Sequence, residues 1–179
     1  MKRILSFFVM LVLTLGAMAQ TQHMKFMGIP LDGTISAFHQ KLVAKGCKHD
    51  VEVSNAVGAG GRAFTGTFFG EKAQIFVYYN AKTKVVYRAK ACIDRRDEEY
   101  IIRKYDEVKS ALEEKYPDAY MSEDEHNGYE SLTFYTDQGW IDLYVSKHDN
   151  VYPTVYTLFI DYVDGVNFKK NENNKMNDL

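Results

Sequence analysis

Apolar residues recur at helical spacing in two stretches of this chain. In residues 97–116 they follow one another at intervals of four, three and four, which places them on one face of an amphipathic helix. They are Ile101, Tyr105, Val108 and Leu112. Asp97 suits the N-cap of this helix, and Pro117 forbids its continuation. A second helix is predicted over residues 35–45, with Thr34 as its N-cap.

Alternating apolar and polar positions elsewhere predict seven strands, since successive side chains of a strand point to opposite faces. The strands are residues 47–53, 62–69, 73–79, 85–94, 131–136, 140–146 and 154–163. Several connections are short enough for hairpins, which predicts an antiparallel sheet. The acidic stretch 122–125 is predicted to be an exposed loop. The parity of the fourth strand places Val85 and Tyr87 toward the helices.

The order of these elements occurs twice. A helix is followed by strands up to residue 94, and a second helix is followed by strands up to residue 163. We therefore predict an α+β fold of two tandem helix-plus-antiparallel-sheet repeats, residues 20–94 and 95–168, with the helices on one face and an open sheet face on the other. The first repeat has an extra strand, 47–53. A coincidental similarity of order is the alternative explanation.

The two ends of the chain are predicted to lie outside this fold. Two basic residues precede an apolar run, and the sequence AMA at residues 17–19 fits a signal-peptidase site. We expect removal of a signal peptide, residues 1–19, with cleavage near Ala19 and a periplasmic or secreted mature protein that has no membrane span. An uncleaved membrane anchor is the alternative. The tail, residues 169–179, has almost no apolar content and is predicted to be disordered.

Composition narrows the functional classes. Hydrophobic residues make up 46% of the chain and charged residues 26%, which is ordinary for a globular protein with a core. The net charge of -2 and the lack of a Lys/Arg stripe between aromatics argue against a nucleic-acid partner. The five histidines include no pair at i, i+2 or i, i+4, so the sequence indicates no metal site. No cofactor and no catalytic residue are predicted from motifs.

Two cysteines in an exported chain invite a disulfide. Cys47 belongs to the apolar set of its strand, whereas Cys92 shares a face with Arg88 and Lys90. In a simple meander their strands lie three spacings apart, about 14 Å, whereas a disulfide needs Cα atoms within about 7 Å. We therefore predict free thiols, although a shuffled strand order would favour the bond.

Three segments, FMGIPLDGTISAFHQKLVAKG, FTGTFFG and GWIDLYV, carry a pattern of F-x-G-I-P, a short helix ending in K-G, and F-x-G-x-F-x-G. Over residues 26–168 this pattern resembles a family of uncharacterised exported bacterial proteins with a β-lactamase inhibitor protein-like (BLIP-like) architecture. The resemblance implies two α+β repeats that pack their helices on one sheet face and leave a concave free face. It supplies no catalytic residue. The chain lacks the disulfide framework of the inhibitors, so inhibition of β-lactamase is not implied.

The open face of the predicted sheet mixes aromatic and charged side chains, which is typical of a binding surface. The candidate binding residues are Tyr78, Arg88, Tyr135, Trp140, Asp142, Tyr144 and Phe159. We expect an exported, non-enzymatic module that binds a protein, a peptide or a cell-envelope component. One alternative is a small exported hydrolase with a site assembled from loops, and another is a structural component of an envelope complex. Tyrosine and threonine also suit open sheet faces without any ligand.

Overall fold

The computed structural model describes residues 22–176 of the chain. The predicted signal peptide, residues 1–19, lies outside the described residues, as do the last three residues of the predicted tail. Among the helices of the described part, none is both long enough and apolar enough to cross a membrane.

Within the described residues, ten strands form a small hairpin and one large antiparallel sheet. The hairpin consists of β1 (Lys25–Phe26) and β2 (Ile29–Pro30). The strands of the large sheet are, in chain order, β3 (Lys48–Asp50), β4 (Gly61–Phe68), β5 (Glu71–Tyr79), β6 (Val86–Arg95), β7 (Tyr120–His126), β8 (Tyr129–Thr136), β9 (Gly139–His148) and β10 (Val155–Asp164). In space their order is β3-β4-β5-β6-β10-β9-β8-β7.

Helices accompany the sheet at four places in the described part. They are α1 (Ile35–Ala44), α2 (Val51–Val57), α3 (Glu98–Lys115) and α4 (Gly165–Met176). α1 and α3 confirm the two helices predicted from apolar spacing. The Asp97 side chain accepts a hydrogen bond of 3.0 Å from the Tyr100 amide, which satisfies one of the free donors at the start of α3. Thr34 caps α1 in the same way.

α1 and α3 pack on the same face of the large sheet, because their apolar sides join one core cluster. The helices contribute Ile35, Phe38, Leu42, Ile101, Tyr105, Val108 and Leu112. The sheet contributes fully buried side chains such as Phe64, Ile75 and Phe134. Each buried side chain of this size stabilises the fold by about 1.5–3 kcal/mol. The predicted α+β class is therefore confirmed, with α1 and α3 on one face of an antiparallel sheet.

The two halves of the described chain share an order of one long helix and four strands, but α2 interrupts the first half between β3 and β4. α1 precedes the four strands β3 to β6, and α3 precedes the four strands β7 to β10. The last strands of the two halves, β6 and β10, pair at the centre of the sheet over eight residues each. An origin of the halves by duplication stays a prediction.

Residues 47–53 do not form the strand that their alternation predicts. β3 ends at Asp50, whose side chain accepts a hydrogen bond of 3.0 Å from the Val53 amide and so caps α2. Ser54 of α2 accepts a hydrogen bond of 2.8 Å from the Ala63 amide, which ties the helix to β4. The alternation was misleading because it does not reflect burial: Val51 is 58% exposed.

The acidic stretch 122–125, predicted to be a loop, lies inside β7. This strand pairs with β8 along its whole length. Asn127 and Gly128, with φ of 53° and 80°, form the two-residue turn between them. Every residue of β7 is exposed, so it buries no apolar face and shows no alternation from which a strand could be predicted.

Residues 169–176, predicted to be disordered, belong to α4 instead. The buried Asp164 carboxylate accepts hydrogen bonds from the Asn167 amide at 2.8 Å and from the Met24 amide at 2.9 Å, which fixes the start of the helix. One turn further on, the Asn171 side chain accepts a buried hydrogen bond of 2.8 Å from Asn80. The inward positions of α4 are asparagines, and a search for apolar periodicity misses them.

At the start of β6, a β-bulge turns the side chains to the sheet faces opposite to those predicted. The register between β5 and β6 shifts between Tyr78 and Tyr79, so Val86 is fully buried where Val85 and Tyr87 were expected. One extra residue moves every side chain before it to the other face. The Tyr87 ring consequently packs outside the core, with its centroid 6.1 Å from that of Phe168 in α4.

Candidate binding surface

The sheet face opposite α1 and α3 is named the open face here. α4 covers one end of it, and no other layer covers its centre in the described part of the chain. The outward side chains of the central strands are Phe76, Tyr78, Arg88, Lys90, Cys92, Thr133, Tyr135, Trp140, Asp142, Tyr144, Phe159 and Asp161. The register of the strands decides which of them meet.

One row of the open face is charged. Lys90 of β6 lies opposite Asp161 of β10, Asp161 lies opposite Asp142 of β9, and Asp142 lies opposite Thr133 of β8. Two carboxylates therefore stand side by side on adjacent strands, where like charges destabilise a pair unless a cation or a proton compensates them.

Arg88 compensates Asp161. Its Nε donates to both carboxylate oxygens, at 2.9 Å and 3.0 Å, and its Nη2 donates to Oδ2. The Asp161 side chain is 1% exposed, whereas the Arg88 side chain is 36% exposed. The hydrogen bonds to Asp161 raise the pKa of Arg88, so this guanidinium stays charged. The pair is thus held in the sheet by the buried Asp161 carboxylate, and the Arg88 guanidinium is its solvent-exposed end.

Asp142 has a different environment. Its Oδ1 accepts a hydrogen bond of 2.8 Å from the Thr133 hydroxyl. Burial raises the pKa of its carboxyl above the ordinary value, and the neighbouring Asp161 adds to the effect. The two carboxylates of this row are therefore held differently, one by a guanidinium and the other by a hydroxyl.

Aromatic rings border the charged row. Tyr144 and Phe159 stack with their centroids 4.7 Å apart, and the Lys90 ammonium lies 5.1 Å from the Phe159 centroid. On the other side, the Arg88 guanidinium lies 5.1 Å from the Tyr78 centroid. Burial raises the pKa of Tyr144 to about 12, so its hydroxyl is protonated at neutral pH and available for hydrogen bonds.

The structure brings together five of the seven predicted binding residues. They are Tyr78, Arg88, Asp142, Tyr144 and Phe159. Trp140 faces the same way but packs edge-on against Phe168, with 5.0 Å between centroids, so α4 partly covers it. Tyr135 lies further out, 47% exposed, with its ring centroid 6.0 Å from that of Tyr120 in β7. Tyr135 therefore lies outside the central group, whereas Trp140 borders it through its side-chain interaction with Asp142.

Three residues that were not among the seven predicted binding residues also belong to this surface. Asp161 and Lys90 were placed on this face by strand parity, but only the register shows that they meet Asp142 and Phe159. Phe168 is the last residue of the predicted second repeat, and no local signal indicated its contact with Trp140.

Cys92 lies beside Phe159 on the open face, whereas Cys47 lies in the core cluster, so the two thiols are on opposite faces as predicted. Both are free and buried. Burial raises the pKa of Cys92 to about 12, which keeps the thiol protonated. Cys92 forms part of the wall of a surface hollow of about 580 Å³, which extends the open face over β4 and β5.

Within the described residues, no group of three or more His, Cys, Asp or Glu side chains is placed to hold a metal ion. Comparison with protein-family models, with curated proteins and with solved structures found no match for this chain. The resemblance to the BLIP-like architecture stays a prediction.

Proposed function

We propose that the protein is an exported, non-enzymatic binding module that holds a protein, a peptide or a cell-envelope component on its open face. The observation that carries this proposal is the central group of half-exposed aromatic rings around the Arg88–Asp161 pair. Interfaces are typically anchored by tyrosine and arginine side chains of this kind.

Preorganisation supports the proposal. The Arg88 guanidinium uses Nε and Nη2 on Asp161, while its Nη1 donates to no described residue. The side chain is already fixed, so a ligand carbonyl or carboxylate that accepts from Nη1 would cost little further rotamer entropy. The stacked Tyr144 and Phe159 rings are likewise fixed by each other and offer apolar area with few rotatable bonds.

Photo-crosslinking tests the proposal. A photoreactive phenylalanine analogue replaces Tyr144 in one variant and Val43 in a matched control, because Val43 is 47% exposed on α1, at the other side of the sheet. We expect one defined envelope partner to crosslink through position 144 and not through position 43.

Competition then measures the contribution of the aromatic anchor. Unlabelled natural protein should suppress the crosslink. Unlabelled Tyr144→Ala protein should require a concentration at least about tenfold higher for the same suppression, because the loss of an interface anchor usually weakens binding by this factor. Identical crosslinks from both positions, or equal competition by the two proteins, would contradict a binding role of the open face.

A further inference from the structure

The two edges of the large sheet differ. At one edge, β3 has only three residues and the chain turns directly into α2, which packs on β4. At the other edge, β7 has seven residues, pairs with β8 on its inner side, and is exposed throughout. In the described part of the chain, nothing pairs with its outer side. A strand edge of this length is a template for another strand.

The turn at Asn127 and Gly128 determines which backbone groups of β7 face outward. In a two-residue hairpin the residues that flank the turn exchange both hydrogen bonds, and bonded and non-bonded pairs then alternate along the ladder. His126 and Tyr129 flank this turn. The Glu125 amide is already bonded to Oδ1 of Asp124, at 2.8 Å. The groups that point away from β8 and can pair with another strand are therefore the amides of Met121 and Glu123 and the carbonyls of Met121, Glu123 and Glu125. They span about 14 Å, enough for a strand of five residues.

The charge of β7 selects what can occupy this edge. Its carboxylates are those of Glu123, Asp124 and Glu125, and none of them forms a salt bridge within the described residues. If the β7 strands of two copies of this chain paired antiparallel about Glu123, this residue would lie directly opposite Glu123 of the second copy. The carboxylates of Asp124 and Glu125 from both copies would lie nearby. Like charges directly opposite destabilise strand pairing, so a second copy of this chain is excluded as the favoured occupant.

We propose that the outer edge of β7 binds an extended segment of a partner protein that carries lysine or arginine at alternating positions, which joins the sheet as a ninth strand. The backbone supplies the hydrogen bonds and the carboxylates supply the selectivity. Tyr120, which is 71% exposed, and Met121 at the start of β7 offer apolar contact to one end of this segment. This edge adjoins the open face, since the His126 ring of β7 lies 5.0 Å from that of Tyr144, centroid to centroid. It binds through backbone groups that the open face does not use, so the inference goes beyond the proposed function.

Three capped heptapeptides test the edge: one alternates valine with lysine, one alternates valine with glutamate, and one is the lysine peptide with a central proline. Affinity is measured by titration calorimetry, and amide exchange is followed by NMR. We expect the lysine peptide alone to bind. We also expect it to slow exchange of the Met121 and Glu123 amides. The amides of Ser122 and Asp124, already bonded to β8, and of Glu125, already bonded to the Asp124 side chain, should change little.

Variants of β7 separate the backbone from the charge. Glu123→Pro removes one outward donor, which an edge strand tolerates, and should weaken the lysine peptide about tenfold. Its matched control, Glu123→Gln, removes only one exposed charge and should cost about two- to fivefold. The double variant Glu123→Lys/Glu125→Lys should bind the glutamate peptide in preference to the lysine peptide.

No binding of the lysine peptide at millimolar concentration overturns the proposal. So does binding that is unchanged by the double charge reversal, or protection of amides outside β7. Tyr78→Ala serves as the internal reference, because Tyr78 lies on β5, far across the sheet from β7, so its loss alters the open face and should leave the peptide affinity unchanged. The proposal for the β7 edge and the proposal for the open face can therefore be refuted independently of each other.

Discussion

The Nε atom of Arg88 lies 2.9 Å from Oδ1 and 3.0 Å from Oδ2 of Asp161. A carboxylate that is almost fully buried is thus neutralised by a guanidinium that is one-third exposed. The pair links β6 to β10, the two strands that join the halves of the sheet. Its loss therefore affects both stability and the presentation of the open face.

Arg88→Met should lower the free energy of unfolding by about 2–3 kcal/mol, because it leaves the Asp161 charge buried without a partner. Removing one member of a fully buried pair costs about 3–5 kcal/mol, and water that reaches the exposed end of Arg88 reduces the cost here. Urea denaturation at neutral pH measures the change.

The double variant Arg88→Met/Asp161→Leu is the control for this prediction. It removes the unpaired charge, so it should recover most of the lost stability. If the double variant is as unstable as Arg88→Met, the loss comes from packing of the long arginine side chain and not from the orphaned carboxylate.

Asp142→Asn should make the protein more stable at neutral pH. Burial raises the folded-state pKa of Asp142 above its unfolded value of about 3.9, so folding favours the protonated form. The stabilising contribution of Asp142 to the free energy of unfolding is fully present below about pH 3.9, and it is lost as the pH rises through the raised folded-state pKa. The amide mimics the protonated acid at every pH and can still accept from Thr133.

Urea midpoints of the natural protein and of Asp142→Asn, measured from pH 3 to pH 8, check this sign. The two proteins should agree near pH 3 and diverge as the pH rises, with the variant higher at pH 7. An advantage of the variant at pH 3 that disappears at pH 7 would mean that the folded-state pKa of Asp142 is lowered instead.

The elements that could be predicted from sequence are those whose signal is local and apolar. α1 and α3 carry regular apolar spacing and N-cap side chains, and the structure contains both. β7 and α4 were missed for opposite reasons. β7 buries nothing, so selection imposes no alternation on it. α4 is held through Asn167 and Asn171, whose hydrogen-bond partners lie far away in the sequence.

Phe168→Ala should lower the free energy of unfolding by about 1–2 kcal/mol, less than a core phenylalanine would, since Phe168 is half-buried. It should also expose Trp140, whose ring it covers. Trp140 is the only tryptophan in the chain, so its fluorescence reports on this contact directly. We expect red-shifted emission and stronger acrylamide quenching.

Lys169→Ala is the matched control, because Lys169 is exposed on the same helix. It should change neither the stability nor the emission of Trp140. Unchanged fluorescence in Phe168→Ala would mean that α4 does not cover this end of the open face in solution.

Asp164→Ala should cost about 2–4 kcal/mol of stability. It leaves the buried amides of Met24 and Asn167 without their acceptor, and each such group costs about 1–3 kcal/mol. Circular dichroism and urea denaturation measure the loss. Asp164→Asn keeps an oxygen acceptor and should be milder. Equal effects of the two substitutions would indicate that the negative charge, not the hydrogen bonds, fixes α4.

The candidate surface was only partly predictable for a physical reason. Parity within a strand assigns a side chain to a face, which is how Tyr144 and Phe159 were identified. Contact between strands depends on register and order, and neither is encoded locally. The pairing of β6 with β10 brings Asp161 to Arg88, and the bulge at Tyr78 and Tyr79 sends Tyr87 away from the core. Neither could be derived from alternation alone.

The central pairing of β6 with β10 also sets the timing of folding. Arg88 and Asp161 are 73 positions apart, so the middle of the sheet closes only when two distant parts of the chain meet. Until then the inner edge of β6, with apolar residues such as Ile93, has no strand beside it. Chains truncated before β10 should therefore aggregate through the unpaired edge of β6.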